Sequence, residues 1–225
     1  MPYIGYFQLI NSVDTFVVYD NIEYTKKGWI NRNRILVNGK DEYITLPLKN
    51  DSDFLHVNER YLAESFHKEK IKILRKIKES YRKAPYFSEV YNLIEEILNY
   101  NDHNLFQFIF NSINKICNYL EIRTKLIISS NVNINHHLKS QDKVIAICKE
   151  LKANVYINPI GGIELYSKNE FNNEGLNLKF LKSNEIQYNQ FQNNFVPFLS
   201  ILDLMVFISP DKLKKVLTNY DLINV

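Results

Sequence analysis

The spacing of apolar residues changes period along this chain, from two to 3.6 and back, and that alternation constrains the fold more than any single motif. Residues 15–19 (TFVVY) read as a short buried strand, and residues 5–12 before it space Phe7 and Ile10 as a short helix does. Residues 34–37 and 42–48 flank Asn38-Gly39. Asn-Gly between two apolar runs predicts a β-hairpin, because both residues tolerate positive φ. From residue 61 the period is helical. Ile71, Leu74, Ile77 and Tyr81 share one stripe, Val90, Leu93, Ile94, Ile97 and Leu98 a second, and Leu105, Phe108, Ile109, Ser112, Ile113 and Ile116 a third. Three helices are expected within residues 61–120.

Residues 125–129 (KLIIS) return to a strand, residues 140–151 carry Val144, Ile145, Cys148 and Leu151 at helical spacing, and residues 155–158 are strand-like again. This order predicts a parallel pair joined by a right-handed crossover. Ser209-Pro210-Asp211 offers an N-cap, a proline at the first helical position and an acid in the first turn, so a short helix should run to Leu217. The fold class is therefore α/β: a mixed, partly parallel sheet with crossover helices, a hairpin near residues 34–48 and a helical subregion over 61–120. A length of 225 residues suits one domain with one sizeable core.

Charge excludes one class of partner. With 28 basic against 25 acidic residues the net charge is +3, far from the dense basic stripe that neutralises phosphates, so no nucleic-acid partner is expected. Cys117 and Cys148 lie in apolar helical patterns without a neighbouring Cys or His at ligand spacing, and read as buried small hydrophobes rather than a disulfide, nucleophile or metal site. No apolar run approaches the ~18 residues of a transmembrane helix, and the amino terminus lacks a signal peptide's regions, which predicts a cytoplasmic protein.

Five places carry candidate chemistry. Asp20 stands at the carboxyl end of the first strand, where open α/β sheets place ligands, and Tyr24, Trp29, Asn31, Arg32 and Asn33 follow. Arg32 can clamp a phosphate or carboxylate and Trp29 can stack on a sugar or base. The alternative is a hairpin start whose amides satisfy turn backbone while Arg32 pairs with Asp20 at the surface. Asn158-Pro-Ile-Gly161-Gly162-Ile-Glu-Leu-Tyr166 follows a strand, and its paired glycines let backbone approach an anion or carbonyl, or simply make a strand-to-helix turn. Ser200 and Asp203 lie about one helical turn apart in an apolar helix, where a carboxylate must find a partner or a raised pKa; the structural alternative is that Asp203 pairs with Arg32 or Arg34. The basic segment 67–83 offers a cationic face to an acidic carrier protein, a sugar-nucleotide diphosphate or lipid headgroups, or is a solvated face. Lys139-Ser140-Gln141-Asp142-Lys143 opens the 140–151 helix, where Ser140 is expected to cap it and Asp142 to favour its dipole; the alternative is that the Lys-Ser pair at this helix start, after the Asn-rich 131–137 loop, binds phosphate groups.

The string IGYFQLINSVDTFVVYDN with Trp29-Ile-Asn-Arg-Asn-Arg-Ile35, followed by KAPYF at 83–87, KSQDKVIAICKEL at 139–151, YINPIGGIELY at 156–166 and LSILDL at 199–204, resembles the WbqC-like family of bacteria over nearly the whole chain. Its members are associated with O-antigen and other surface-polysaccharide biosynthesis. They usually carry a further strand and a Gln-Pro-aromatic turn ahead of the PYIGYF string, so the resemblance implies that this strand is missing here. With that polysaccharide context, strand-end Asp20, the Arg32 region and the Gly161-Gly162 turn motivate the expectation of a cytoplasmic transferase on an activated amino sugar, by acyl or aminoacyl transfer. Asp20 or Asp203 would be the base, Arg32 the anion clamp and Gly161-Gly162 the backbone donors, all lining one polar hollow. The partners would be a sugar or sugar nucleotide and an acyl-carrier protein or another polysaccharide enzyme; the cofactor is left open. The rivals are nucleotidyl or adenylyl transfer, for which no Walker-A lysine is present, and a non-catalytic assembly factor docking through the basic helix.

Overall fold

A computed structural model describes residues 1–191 and 194–224. Helix α1 (Ile4–Asn11) buries Phe7, Leu9 and Ile10, and β1 (Thr15–Val18) follows it. Strands β2 (Arg32–Val37) and β3 (Lys40–Thr45) form the predicted hairpin, with Val37 opposite Lys40. Asn38 and Gly39 close it at φ of 49° and 78°, the doubly positive pair that matches the right-handed twist of the strands. β3 is largely exposed while Ile35 and Leu36 of β2 are buried, so the hairpin lays one strand on the core.

Three helices follow, α2 (Phe66–Tyr81), α3 (Phe87–Leu98) and α4 (Leu105–Tyr119). In α2 the buried stripe is Ile73, Ile77 and Tyr81, at i, i+4 and i+8. Ile71, expected inside, is 50% exposed, because the flanking cations occupy that side of the helix. Asn104 caps α4 by accepting a hydrogen bond from the Gln107 N–H.

The second half contains β4 (Lys125–Ile128), α5 (Ser140–Glu150), β5 (Val155–Pro159), α6 (Lys168–Asn173), β6 (Asn177–Ser183), α7 (Ile201–Phe207), α8 (Pro210–Leu217) and β7 (Tyr220–Asn224). β4 pairs in parallel with β1, from Thr15 opposite Lys125 to Val18 opposite Ile128. β5 pairs in parallel with β6, and β6 antiparallel with β7. The sheets are mixed, as expected of the α/β class. The crossover helix α5 does not join adjacent strands, however, because β4 and β5 lie in different sheets. Lys139, not Ser140, is the N-cap of α5; Ser140 is already helical in position and has a φ of 48°.

Two apolar clusters hold these elements. The larger gathers α1, the hairpin, α2–α4, α7 and α8; the smaller packs Val144 and Cys148 of α5 against Phe171, Leu178 and Phe180. Burial pushes the Cys148 thiol up to about 11 and that of Cys117 up to about 12, which keeps both inert.

Candidate functional site

Because β1 and β4 run in the same direction and in register, the segments leaving them emerge side by side. Asp20 and Asn21 leave β1; Ser129 and Ser130 leave β4. Asp20 is only 3% exposed, and its carboxylate accepts from the Ser130 N–H and from Asn58 Nδ2, each at 2.9 Å. Its backbone carbonyl also accepts from the Asn58 N–H at 3.1 Å. Asn21 is the hub beside it. Its Oδ1 accepts from Ser129 Oγ at 2.6 Å and from Lys143 Nζ at 3.2 Å, while its Nδ2 donates to His136 Nδ1 at 3.0 Å.

That arrangement fixes the histidine. An Nδ1 that accepts leaves the proton on Nε2, which lies 3.0 Å from the Val132 carbonyl and donates to it. Lys143 reaches the centre from the start of α5 and is 8% exposed, with Nζ 5.5 Å from the centroid of the Tyr19 ring. Burial lowers its pKa and the nearby Asp20 charge opposes that. An ammonium has three N–H donors, and among the described residues one is used, on Asn21. The centre thus combines a desolvated cation with donors in reserve, a buried carboxylate, two serines and an imidazole.

The residues just after Asp20 divide into fasteners and a rim. Tyr24 donates to Asn31 Oδ1 at 2.8 Å, Asn31 Nδ2 donates to the Leu46 carbonyl at 2.9 Å, and Asn33 Nδ2 donates to that of Met1 at 2.7 Å. Arg32 does not pair with Asp20, which is buried in its own network. Arg32 Nε donates to the Gly28 carbonyl at 3.0 Å and Nη2 to that of Lys27, and the guanidinium lies 5.0 Å from the Tyr43 ring and 5.9 Å from Trp29. Trp29 and Tyr43 stack with centroids 6.1 Å apart, and Arg34, paired with Asp41 at 2.8 Å, covers Trp29 from 5.5 Å. This rim borders a cavity of about 740 Å³.

Gly161 and Gly162 lie within a 3-10 helix over Ile160–Leu165, rather than in a loop ahead of an α-helix. A Cβ on Gly162 would stand 2.2 Å from Asn158 Nδ2, so this glycine makes room for Asn158; a Cβ on Gly161 would meet nothing within 4 Å. Asn158 Oδ1 accepts from Tyr156, whose hydroxyl is 3.4 Å from that of Tyr166. Asp203 is fully buried on α7 and accepts three hydrogen bonds of 2.7 Å, from Tyr81, Tyr188 and Gln190 Nε2. Burial raises its pKa and these bonds oppose the rise. Ser200 caps α7 and donates to the Met1 carbonyl at 3.1 Å.

The predicted residues are therefore distributed over separate networks. Asp20 belongs to the strand-end centre, Gly162 to the Asn158–Tyr156–Tyr166 cluster and Asp203 to the α7 hub, and none of the three lines the 740 Å³ cavity. Trp29, Asn31, Arg32 and Asn33 do line it, together with Tyr19 and Ile22, so the 19–22 segment faces the cavity on either side of the two residues that build the polar centre. Asn21, Asn58, Ser129 and Ser130 were not singled out from sequence; Lys143 stood there only as the end of the 139–143 helix start, and His136 only as a neighbour of His137 with no assignable partner. The readable signal was Ser129-Ser130 at the end of a strand; the pairing of that strand with β1 was not.

No solved structure matches the chain. Over 219 residues, covering 95% of this chain and 94% of the relative, it is 27% identical to the uncharacterized protein Rv1507c of Mycobacterium tuberculosis. A family model described as the WbqC-like protein family matches residues 1–215, a span that holds the polar centre, the aromatic rim, the glycine turn and the α7 hub. The chain belongs to the WbqC-like protein family.

Proposed function

We propose that this protein is a cytoplasmic transferase acting on an activated amino sugar in O-antigen or other surface-polysaccharide biosynthesis, by acyl or aminoacyl transfer. The observation that carries the reading is the buried Lys143 ammonium beside Asp20, at the joined ends of two parallel strands. A desolvated cation with unused donors suits the diphosphate of a sugar nucleotide, since charge-assisted hydrogen bonds are the strong ones. Ser129 and Ser130 add hydroxyls on the same side.

Asp20 retains acceptor capacity after its two hydrogen bonds, because a carboxylate offers about four lone-pair sites. In this reading it accepts the proton of the sugar amine as that amine attacks the acyl carbon of an activated donor such as a carrier thioester; the C–N bond replaces the acyl–sulfur bond, and the carrier leaves as its thiol with the proton that Asp20 gives back. Asp203, closed in by three donors, acts as a fastener and keeps no role at the reacting atoms. No helix among the described residues is long and apolar enough to cross a membrane, which agrees with work on a sugar nucleotide before export.

The test is direct. Purified protein is incubated with UDP- and dTDP-linked amino sugars and a panel of acyl and aminoacyl donors, and the sugar nucleotide is followed by mass spectrometry. A mass increase equal to one acyl or aminoacyl group, lost in Asp20→Asn and Lys143→Met, supports the reading; unchanged masses for every pair reject it.

A further inference from the structure

The positive charge of this chain is concentrated on one helix. Of its 28 basic and 25 acidic residues, eight and two lie within residues 67–83, which cover α2 and its C-cap Arg82. The other 20 basic and 23 acidic residues leave the rest of the molecule net acidic. A separation of sign on this scale draws partners of opposite charge to one face.

The helix is fixed in roll. Phe66, Ile73, Ile77 and Tyr81 hold one side in the core, which sets Lys68, Arg75 and Arg82, spaced by seven, along the middle of the opposite side. Lys72 and Lys78 flank that line, and all five cations are exposed. At 1.5 Å per residue the line runs for about 21 Å. Local acids leave most of it unbalanced. Lys72 pairs with Glu69 at 2.7 Å and Lys76, lower on the flank, with Glu42 of β3 at 2.8 Å. Among the described residues Lys68, Arg75, Lys78 and Arg82 have no carboxylate within ion-pair distance.

The details of the face select among anionic partners. A helix that lies in a lipid surface inserts its apolar side, and here that side is locked in the core. A phosphodiester chain would meet the exposed Glu79 in the middle of the line and gain nothing from Ile71, which is 50% exposed within it. A protein helix with acids about two turns apart uses every part: carboxylates against Lys68, Arg75 and Arg82, an apolar side chain on Ile71, and a cation for Glu79. The segment that leads into α2 also carries Asn58, bonded to Asp20 at 2.9 Å, so the helix is tied through a short stretch of chain to the strand-end centre.

We propose that the exposed face of α2 docks a small acidic helical protein, the carrier that brings the acyl or aminoacyl group as its thioester. The cargo rests on the transferase reading; the docking rests on the charge and fixed roll of α2.

The full chain is titrated calorimetrically with a purified bacterial acyl-carrier protein as the probe, and with phosphatidylglycerol vesicles and a short DNA duplex as comparisons. Saturable binding to the carrier is expected, weakened at least about fivefold when ionic strength is raised to about 0.3 M. Arg75→Glu with Arg82→Glu should weaken it at least about tenfold, and Arg75→Gln with Arg82→Gln by an intermediate factor. Lys212→Glu with Lys215→Glu makes the same change of net charge at exposed positions of α8 and should leave affinity within about twofold. Melting temperatures equal to wild type exclude misfolding as the cause.

No saturable binding below about 1 mM carrier overturns the proposal, as does an equal loss in the two charge-reversed proteins. Tighter binding to the vesicles or the duplex than to the carrier also overturns it, in favour of a membrane or nucleic-acid face. The two readings separate cleanly. Carrier binding with the expected variant pattern upholds the docking even where no acyl transfer is detected, and acyl transfer from a coenzyme A thioester without carrier binding upholds the transferase and overturns the docking.

Discussion

Replacing Tyr81 by Phe removes a single oxygen that serves two partners. The hydroxyl accepts from the Leu36 N–H of β2 at 2.7 Å and donates to Asp203 Oδ1 at 2.7 Å, and the ring is fully buried. A hydrogen bond to a charged group contributes about 1.5–3 kcal/mol, and a buried N–H left unpaired costs about 1–3 kcal/mol. The two overlap in one side chain, so a loss of about 3 kcal/mol is expected, or roughly 6–12 °C in melting temperature for a chain of this size.

Tyr188→Phe removes only a donor to the same carboxylate, and should cost about half as much. The pH dependence adds a second reading. Burial raises the Asp203 pKa above the ordinary 3.8, so the native state holds that proton more tightly than the unfolded chain does. Stability from this group is therefore greatest below the ordinary value and declines as pH climbs through the folded one. Loss of Tyr81 takes away one of the bonds that restrain the rise. The deficit of Tyr81→Phe should consequently be largest near neutrality and narrow toward pH 4. Urea denaturation from pH 4 to 8 measures both effects; a variant within about 0.5 kcal/mol of wild type, or a deficit that widens in acid, refutes the hub.

Other consequences follow from the same geometry. Burial lowers the Lys143 pKa, so its protonated form costs stability below the folded value and that cost is relieved as pH rises through it toward 10.5. Lys143→Met should accordingly match or exceed wild-type melting temperature at pH 7 and lose that advantage by pH 10, as thermal scans would reveal. Gly162→Ala drives a methyl into Asn158 Nδ2 and should cost about 1 kcal/mol through the displaced Tyr156 hydrogen bond, whereas Gly161→Ala meets open space and should leave the denaturation midpoint in place. Gly39→Val forces a β-branched residue to a φ of 78° and should cost about 1–2 kcal/mol in the same assay, with no cost from Lys40→Ala beside it.

Local signals in the sequence carried much of the fold. The Asn38-Gly39 turn, the three helices between 61 and 120 and the helix from Pro210 are set by turn chemistry and 3.6-residue spacing, which act within a few positions of one another. Long-range pairing was not encoded so locally. The order strand, helix, strand over 125–158 is compatible with β4 beside β5 or with β4 beside β1, and only packing selects the second. Strand β6 was missed although Leu178 and Phe180 alternate inward, because Lys179 and Lys182 break the apolar run.

The site was legible to the same extent. Asp20 was readable from its place at a strand end, and the polar character of the rim from the density of Trp29, Asn31, Arg32 and Asn33. Lys143 was hidden inside a helix start whose Lys, Ser and Asp already had capping roles to fill. His136 gave no signal until its partner Asn21, more than a hundred positions away, was placed against it.

The central claim is that the strand-end centre grips the diphosphate of an activated sugar, and calorimetric titration measures that grip. A UDP- or dTDP-linked amino sugar should bind wild-type protein saturably, and Lys143→Met, with its melting temperature preserved, should weaken binding at least about tenfold. Equal affinity in the two proteins, or no binding to either, would contradict the account.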